Sequence, residues 1–196
     1  MSAIVRAFEN AFELKEERGW DHIYVFIDIH KTIFKPTYGE KEEKFNYYED
    51  ARTALRMLSK RKDVVLGLYT CSYPSEIAKY LDKLAEDGIE FQLVNKNDME
   101  KNTKYACFDE KPYFNVLLDD KAGFEPDVEW YRIVRYLRQE ALIEIMRLDE
   151  EAGLYDIETG GIDGANGEIT LPNDEEEFDE IIKNHEERVE KSKKKD

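Results

Sequence analysis

The sequence predicts an α/β fold, a three-layer sandwich whose mostly parallel sheet lies between helices, followed by an acidic C-terminal extension. Short apolar runs and amphipathic stretches follow one another in the order strand–helix–strand–helix–strand–strand–helix. The first and the last of the apolar runs each stop on an aspartate, at Asp28 and at Asp119. A chain of 196 residues has room for one such domain and an appendage. We therefore place the α/β domain at 1–148 and the extension at 149–196.

The first half of the chain predicts two helices and two strands. A helix over 2–18 is indicated by apolar residues at helical spacing, and a glycine ends it. The run Ile-Tyr-Val-Phe-Ile before Asp28 is β-branched or aromatic throughout, which is typical of a buried strand over 23–28. After a turn-rich segment, 47–61 carries one apolar face and predicts a helix, and 63–69 predicts the second strand.

The second half of the domain predicts two more helices and two more strands. Pro74 is placed to open the third helix, with Ser72 as its N-cap. A strand over 90–94, a loop of about fifteen residues and a strand over 114–118 follow. The apolar stripe of 128–147 predicts a long packed helix.

The composition changes in the extension. Residues 153–172 are rich in Gly, Asp and Asn and predict a hairpin, because Asp163-Gly164 and Asn166-Gly167 are hairpin-turn dipeptides. Residues 174–196 predict a charged helix. This helix is either solvated or docks a protein partner through the apolar strip around Phe178.

The charge of the chain restricts its partners. Of the formal net charge of −16, the extension carries −11 (17 acids against 6 bases) and the domain −5. A protein that holds a length of nucleic acid needs a basic face, so tight nucleic-acid binding is not expected. Two cysteines, Cys71 and Cys107, make neither a disulfide framework nor a paired-cysteine zinc motif. Without a signal-peptide segment or a membrane-length apolar run, a cytoplasmic protein is expected.

Two predicted strands deliver carboxylates to the same edge of the sheet. Open α/β sheets bind ligands at the carboxyl ends of their parallel strands. Asp28, Asp119 and Asp120 are therefore expected to lie close together, with Thr70 from the end of the second strand. Mg²⁺ usually takes one or two protein carboxylates and completes its shell with water and phosphate. These residues predict a Mg²⁺ site that receives a small phosphorylated substrate.

Four separated stretches carry a family resemblance. They are Asp28-Ile-His30-Lys-Thr32, Tyr69-Thr70-Cys71, Lys111, and Leu117-Leu118-Asp119-Asp120. In this order they resemble the four motifs of the haloacid dehalogenase superfamily of phosphohydrolases, whose domain is Rossmann-like. The resemblance spans roughly 20–146 and is to small, nearly capless members of phage and bacterial type.

The resemblance implies a nucleophile and a metal shell. Asp28 would attack phosphorus to form an aspartyl-phosphate and would also bind Mg²⁺. Asp119 would complete the protein part of the shell together with the backbone carbonyl of His30. Asp120 would be a further ligand, directly or through water.

The resemblance also implies a set of groups that bind the phosphoryl oxygens. Thr70 would donate its hydroxyl, and Cys71 would donate its backbone N–H. Lys111 matches the lysine of the third motif, and Lys96 and Lys104 lie in the same loop, so any of the three is a candidate for the cation.

One position departs from the family pattern and leaves two functions open. Where the family has a second aspartate that protonates the leaving group, this chain has His30. Histidine titrates near neutral pH and suits acid–base work, but beside Mg²⁺ it can also stay neutral. The first hypothesis is a Mg²⁺-dependent phosphomonoesterase acting on nucleotides or sugar phosphates. The alternative is a catalytically impaired protein of the same fold that binds a phosphorylated ligand or a protein partner.

Overall fold

The computed structural model describes residues 2–37, 45–151, 162–163, 168–169 and 175–193. The chain forms two compact units, Met1–Val134 and Arg135–Asp196. The first unit is α/β, with a four-stranded, all-parallel sheet flanked by helices, consistent with a Rossmann-like three-layer sandwich. This confirms the predicted fold class.

The sheet places the first strand at its centre. Its members are β1 (Ile23–Ile27), β2 (Val64–Leu68), β3 (Leu93–Val94) and β4 (Val116–Leu118), in the spatial order β3-β2-β1-β4. β1 pairs in parallel with both β2 and β4. Because all four strands run the same way, their carboxyl ends share one edge of the sheet.

The described residues form five α-helices. They are α1 (Ala3–Arg18), α2 (Ala51–Lys60), α3 (Pro74–Glu86), α4 (Pro126–Glu151) and α5 (Glu175–Lys193). Ser2 caps α1, since its hydroxyl accepts the backbone N–H of Ile4 at 3.2 Å, and Gly19 ends α1 in the left-handed conformation. The predicted boundary between 148 and 149 lies inside α4.

β1 is buried on both faces of the sheet. Its residues alternate between the faces of the sheet, and all five are buried. On one face Tyr24 and Phe26 form a cluster with Val65 and Leu93, against which aromatic residues from 113–114 pack. Gly67 faces this cluster: a Cβ atom on Gly67 would lie 2.8 Å from the ring of Phe26, so a larger residue would displace the ring.

Two local predictions were wrong, and both for the same physical reason. The helix predicted from residue 47 begins at Ala51, because Tyr47 forms an antiparallel bridge with Phe34. Ser72 does not cap α3, because its hydroxyl lies 3.1 Å from that of Thr70; Tyr73 occupies the cap position. In each case a contact with a residue outside the predicted helix replaces the local pattern.

The second unit contains the C-terminal elements. β5 (Ile162–Asp163) and β6 (Glu168–Ile169) pair in antiparallel fashion, which confirms the predicted hairpin, while its turn lies outside the described residues. In the same unit the guanidinium of Arg138 lies 5.6 Å from the ring centroid of Phe178. Among the described residues, no helix combines the length and the apolar character needed to cross a membrane.

Candidate functional site

Three strand ends meet at one edge of the sheet. The backbone N–H of Asp28 donates to the carbonyl of Leu118 over 2.9 Å, and that of Tyr69 donates to the carbonyl of Ile27 over 2.9 Å. β1 therefore ends between the acidic pair on one side and the threonine motif on the other. The residues predicted to share this edge do so: Asp28, Thr70 and Asp119.

Three carboxylates form an acidic cluster at this edge. One oxygen from each of Asp28, Asp119 and Asp120 lies within 4.8 Å of the other two. Asp28 is 7% exposed, and the other two are half-buried. Burial raises the pKa of the Asp28 carboxyl above its ordinary value; the backbone N–H of Ile29 opposes this shift, and the charge of Asp119 adds to it. A buried carboxylate beside others is costly unless a cation offsets its charge.

The cluster has the donors that a hard divalent cation requires. Mg²⁺ prefers carboxylate oxygens and is often held by only one or two of them, with water and phosphate in its remaining positions. The carboxylate of Asp119 accepts the backbone N–H of Lys121 at 2.8 Å, which fixes its orientation. Asp28, Asp119 and Asp120 are therefore the residues that would hold such an ion.

Thr32 connects the segment after β1 to the acidic pair. Its side chain is fully buried, and its hydroxyl oxygen accepts the backbone N–H of Asp120 at 3.2 Å. Its carbonyl accepts the indole N–H of Trp130 at 2.8 Å. The motif spacing after Asp28 indicated Thr32, but not the contact by which it holds Asp120 in place.

His30 is held by a residue of α3. Its Nε2 atom lies 3.0 Å from the hydroxyl oxygen of Tyr80, and the two rings meet edge to face. A positive charge on His30 lowers the pKa of Asp28, so the imidazole acts on the carboxylate two residues before it. His30 thus stands where an acid–base group is expected, with one ring nitrogen already engaged.

The second motif is fixed by an asparagine. The side-chain amide of Asn95 accepts the backbone N–H of Thr70 at 2.7 Å and donates to its carbonyl at 2.7 Å. The hydroxyl oxygen of Thr70 also accepts the backbone N–H of Ser72 at 3.3 Å. Thr70 is 8% exposed, whereas the next residue, Cys71, is exposed. The backbone that leads into Cys71 is therefore held in a defined position at the sheet edge.

The three lysines predicted for the site lie in different surroundings. Lys111 is exposed and precedes the amino end of β4, whereas the acidic pair follows its carboxyl end. Lys96 lines a cavity. The ammonium of Lys104 lies 4.6 Å from the ring centroid of Tyr105. Their role at the site stays a prediction.

A fourth lysine, Lys121, stands beside the acidic cluster. Its Nζ atom lies 3.3 Å from a carboxylate oxygen of Asp120, and its charge acts on Asp28 and Asp119 as well. The sequence did not indicate Lys121, because a lysine directly after two acids is ordinarily a solvated surface residue. Its positive charge acts on Asp28, whose pKa it lowers, and this distinguishes Lys121 from the lysines of the preceding loop.

Comparison with known proteins adds little to this geometry. The chain matches no protein-family profile and no curated protein. Among solved structures it is similar to a conserved protein coded by a locus of Bacteroides thetaiotaomicron, with 19% identity and a TM-score of 0.46, over 61% of this chain and 92% of that one. This similarity is too low to transfer a function, so the function must be inferred from the side chains of the site.

A polar cavity lies next to the second motif. Its volume is about 490 Å³, and the segment 95–112 supplies its lining. Asn95 belongs both to this lining and to the pair of hydrogen bonds that hold Thr70. Lysine and carboxylate side chains both line it, among them Glu100, which accepts the hydroxyl of Tyr24 at 3.0 Å.

Proposed function

We propose that the chain is a Mg²⁺-dependent phosphomonoester hydrolase that acts through an aspartyl-phosphate on Asp28. The observation that carries this proposal is the convergence of Asp28, Asp119 and Asp120 within 4.8 Å at the carboxyl ends of β1 and β4. Asp28 is also the most buried of the three, which suits a nucleophile shielded from bulk water.

The chemistry divides one difficult hydrolysis into two steps. A carboxylate oxygen of Asp28 forms a bond to phosphorus, and the bond from phosphorus to the leaving oxygen breaks while His30 gives that oxygen a proton. Water then attacks phosphorus, gives its proton back to His30, releases phosphate and restores Asp28. A bound divalent cation supplies the positive charge that lets an anionic carboxylate approach an anionic ester.

The remaining groups bind and orient the phosphoryl oxygens. Thr70 presents a hydroxyl from a backbone that Asn95 holds on both sides. Cys71 would offer its backbone N–H and a lysine its ammonium; for this cation the resemblance implies Lys111, with Lys96 and Lys104 as alternatives from the same loop. Both cysteines are unpaired, which is compatible with a reducing cytoplasm.

The expected substrate is a small phosphate ester, a nucleotide or a sugar phosphate. The segment between the first motif and α2 is too short to form a large cap domain, so an open site is expected. An acidic domain disfavours tight binding of a nucleic-acid polymer.

The test is phosphate release from nucleotides, sugar phosphates and an aryl phosphate, with Mg²⁺ and with a chelator. We expect release that requires the ion and that is abolished in Asp28→Asn. Asp21→Asn is the matched control, because Asp21 is an exposed aspartate before the opposite end of β1. If no substrate is turned over above the Asp28→Asn background, the proposal is wrong.

The second candidate is a protein of the same fold that binds a phosphorylated ligand or a protein partner without turnover. The observation that favours it is the sequence itself, which has His30 where the family has its second aspartate and carries a long acidic extension. His30→Asp decides between the two. A large gain in turnover would mean that the family's acid has been lost, and a loss would identify His30 as the working acid.

A further inference from the structure

We propose that Lys121 is the residue whose ammonium holds the phosphoryl group at this site, from a position directly after the acidic pair. This inference rests on the proposed function, because it names the cation that receives the substrate's phosphate. It replaces the three lysines of the loop before β4 in that role.

The backbone of Lys121 is held in place by the acidic turn itself. Its N–H donates to a carboxylate oxygen of Asp119 at 2.8 Å, and the turn Asp120–Ala122 is closed by Gly123 in the left-handed conformation. The same turn is attached to the core by the hydrogen bond from Asp120 to Thr32. Lys121 therefore starts from a fixed point at the sheet edge.

The side chain of Lys121 is free to reach toward a ligand. It is 81% exposed, and its ion pair with Asp120 is a single contact at 3.3 Å. An exposed pair of this kind is weak and exchanges readily with other anions. A lysine ammonium is a cation at neutral pH.

Lys111 precedes the amino end of β4, whereas the acidic cluster lies at the carboxyl end. It lies before Val116, the first residue of that strand, whereas Asp119 follows the last. A strand advances about 3.3 Å per residue, so the three steps from Val116 to Asp119 span about 10 Å. Between Lys111 and β4, Tyr113 and Phe114 pack on one face of the sheet, against the cluster that contains Tyr24 and Phe26.

If Lys121 binds phosphate, removing its charge should change Mg²⁺ affinity and phosphate affinity in opposite directions, which loss of a purely structural role would not do. A positive charge beside the three carboxylates repels Mg²⁺ and attracts phosphate. Removing the charge should therefore tighten binding of the ion and weaken binding of phosphate. Damage to the turn would weaken both.

The experiment compares Lys121→Gln, Lys121→Arg and Lys111→Gln with the unchanged protein by calorimetric titration. The probes are Mg²⁺ alone, and then inorganic phosphate in saturating Mg²⁺. For Lys121→Gln we expect phosphate affinity to fall about tenfold and Mg²⁺ affinity to rise about threefold. Lys121→Arg should restore both values, and both effects should shrink at high salt. Lys62→Gln, which alters an exposed lysine before the opposite end of β2, should change neither.

Several results would overturn the assignment. They are a larger loss of phosphate affinity in Lys111→Gln than in Lys121→Gln, a loss of both affinities in Lys121→Gln, and no binding of phosphate by the unchanged protein. The proposed function fails separately, if Mg²⁺-dependent turnover of an aryl phosphate is absent. In that case the two titrations still decide whether Lys121 holds a phosphate.

Discussion

The Nε2 atom of His30 lies 3.0 Å from the hydroxyl oxygen of Tyr80, across 50 residues of sequence. The two ring centroids are 5.5 Å apart and the rings are nearly perpendicular. Tyr80 is itself buried in α3. The orientation of the imidazole beside Asp28 is thus set by a helix that follows the second motif.

Tyr80→Phe should reduce turnover while leaving the packing of the ring intact. Without the hydroxyl, His30 loses a partner that orients it for proton transfer, so we expect kcat to fall about fivefold with a smaller change in KM. The free energy of unfolding should fall by about 1 kcal/mol. Steady-state kinetics and urea denaturation measure the two effects. Tyr105→Phe, at a position 86% exposed, is the matched control. An unchanged kcat would show that the contact has no part in catalysis.

Asp28→Asn should stabilise the ion-free protein at neutral pH. Burial raises the pKa of Asp28 in the folded state, so the folded protein binds this proton more tightly than the unfolded chain does. Stability therefore falls as the pH rises through the interval between the ordinary and the raised pKa, and the penalty stays in full above it. Thermal melting at several pH values checks this. The advantage of the variant should disappear as the pH is lowered toward the ordinary pKa of a carboxyl group.

Mg²⁺ should make the unchanged protein more stable than Asp28→Asn, which reverses the order of stability expected without the ion. An ion at ten times its Kd stabilises a protein that binds it by about 1.4 kcal/mol. We expect the melting temperature of the unchanged protein to rise with Mg²⁺ and that of Asp28→Asn to rise much less. Asp21→Asn should follow the unchanged protein. Equal shifts in all three would place the ion elsewhere.

Thr32→Val should weaken the site without touching a carboxylate. The substitution keeps the volume of the side chain but removes the oxygen that accepts the backbone N–H of Asp120. An unsatisfied buried N–H costs about 1–3 kcal/mol, and the released turn should bind Mg²⁺ about tenfold more weakly. Chemical denaturation and Mg²⁺ titration measure these changes. Thr53→Val in α2, at a half-buried threonine, is the comparison; a similar loss of Mg²⁺ affinity there would remove the significance of Thr32.

Gly67→Ala should destabilise the sheet by about 1–3 kcal/mol, because the new methyl group meets the ring of Phe26 at 2.8 Å. Urea denaturation of the single and double variants isolates the cause. Combined with Phe26→Leu, the alanine should cost clearly less than it does alone. Strictly additive losses would mean that backbone strain, rather than the ring, is responsible.

The strand ends could be predicted from the sequence, because the information is local. A buried run that stops on Asp28, and another that stops on Asp119, place both carboxylates at the carboxyl edge of any parallel sheet. The fold class and the acidic cluster follow from this rule. The same reasoning placed Thr70 at the edge.

The contacts between segments could not be predicted in the same way. The bridge between Tyr47 and Phe34 replaces a helical turn, and the pairing of His30 with Tyr80 joins distant elements. Neither has a local pattern. Lys121 could not be predicted either, because only the folded turn reveals which of many lysines lies beside the carboxylates.

The amide of Asn95 has a consequence for how this fold can change. The side-chain amide of Asn95 bonds both the N–H and the carbonyl of Thr70, as the backbone of a further β3 residue would. The main chain can therefore leave the sheet at Asn95. The amide of Asn115 makes the matching contact with the backbone N–H of Tyr24 where the chain returns. Between these two anchors the segment makes further contacts, since Glu100 accepts the hydroxyl of Tyr24 at 3.0 Å and Asn97 donates to the carbonyl of Tyr113 at 2.8 Å. The position of Thr70 therefore depends on a side chain that follows β3, so a change at Asn95 would loosen the threonine motif without altering any residue of the acidic edge.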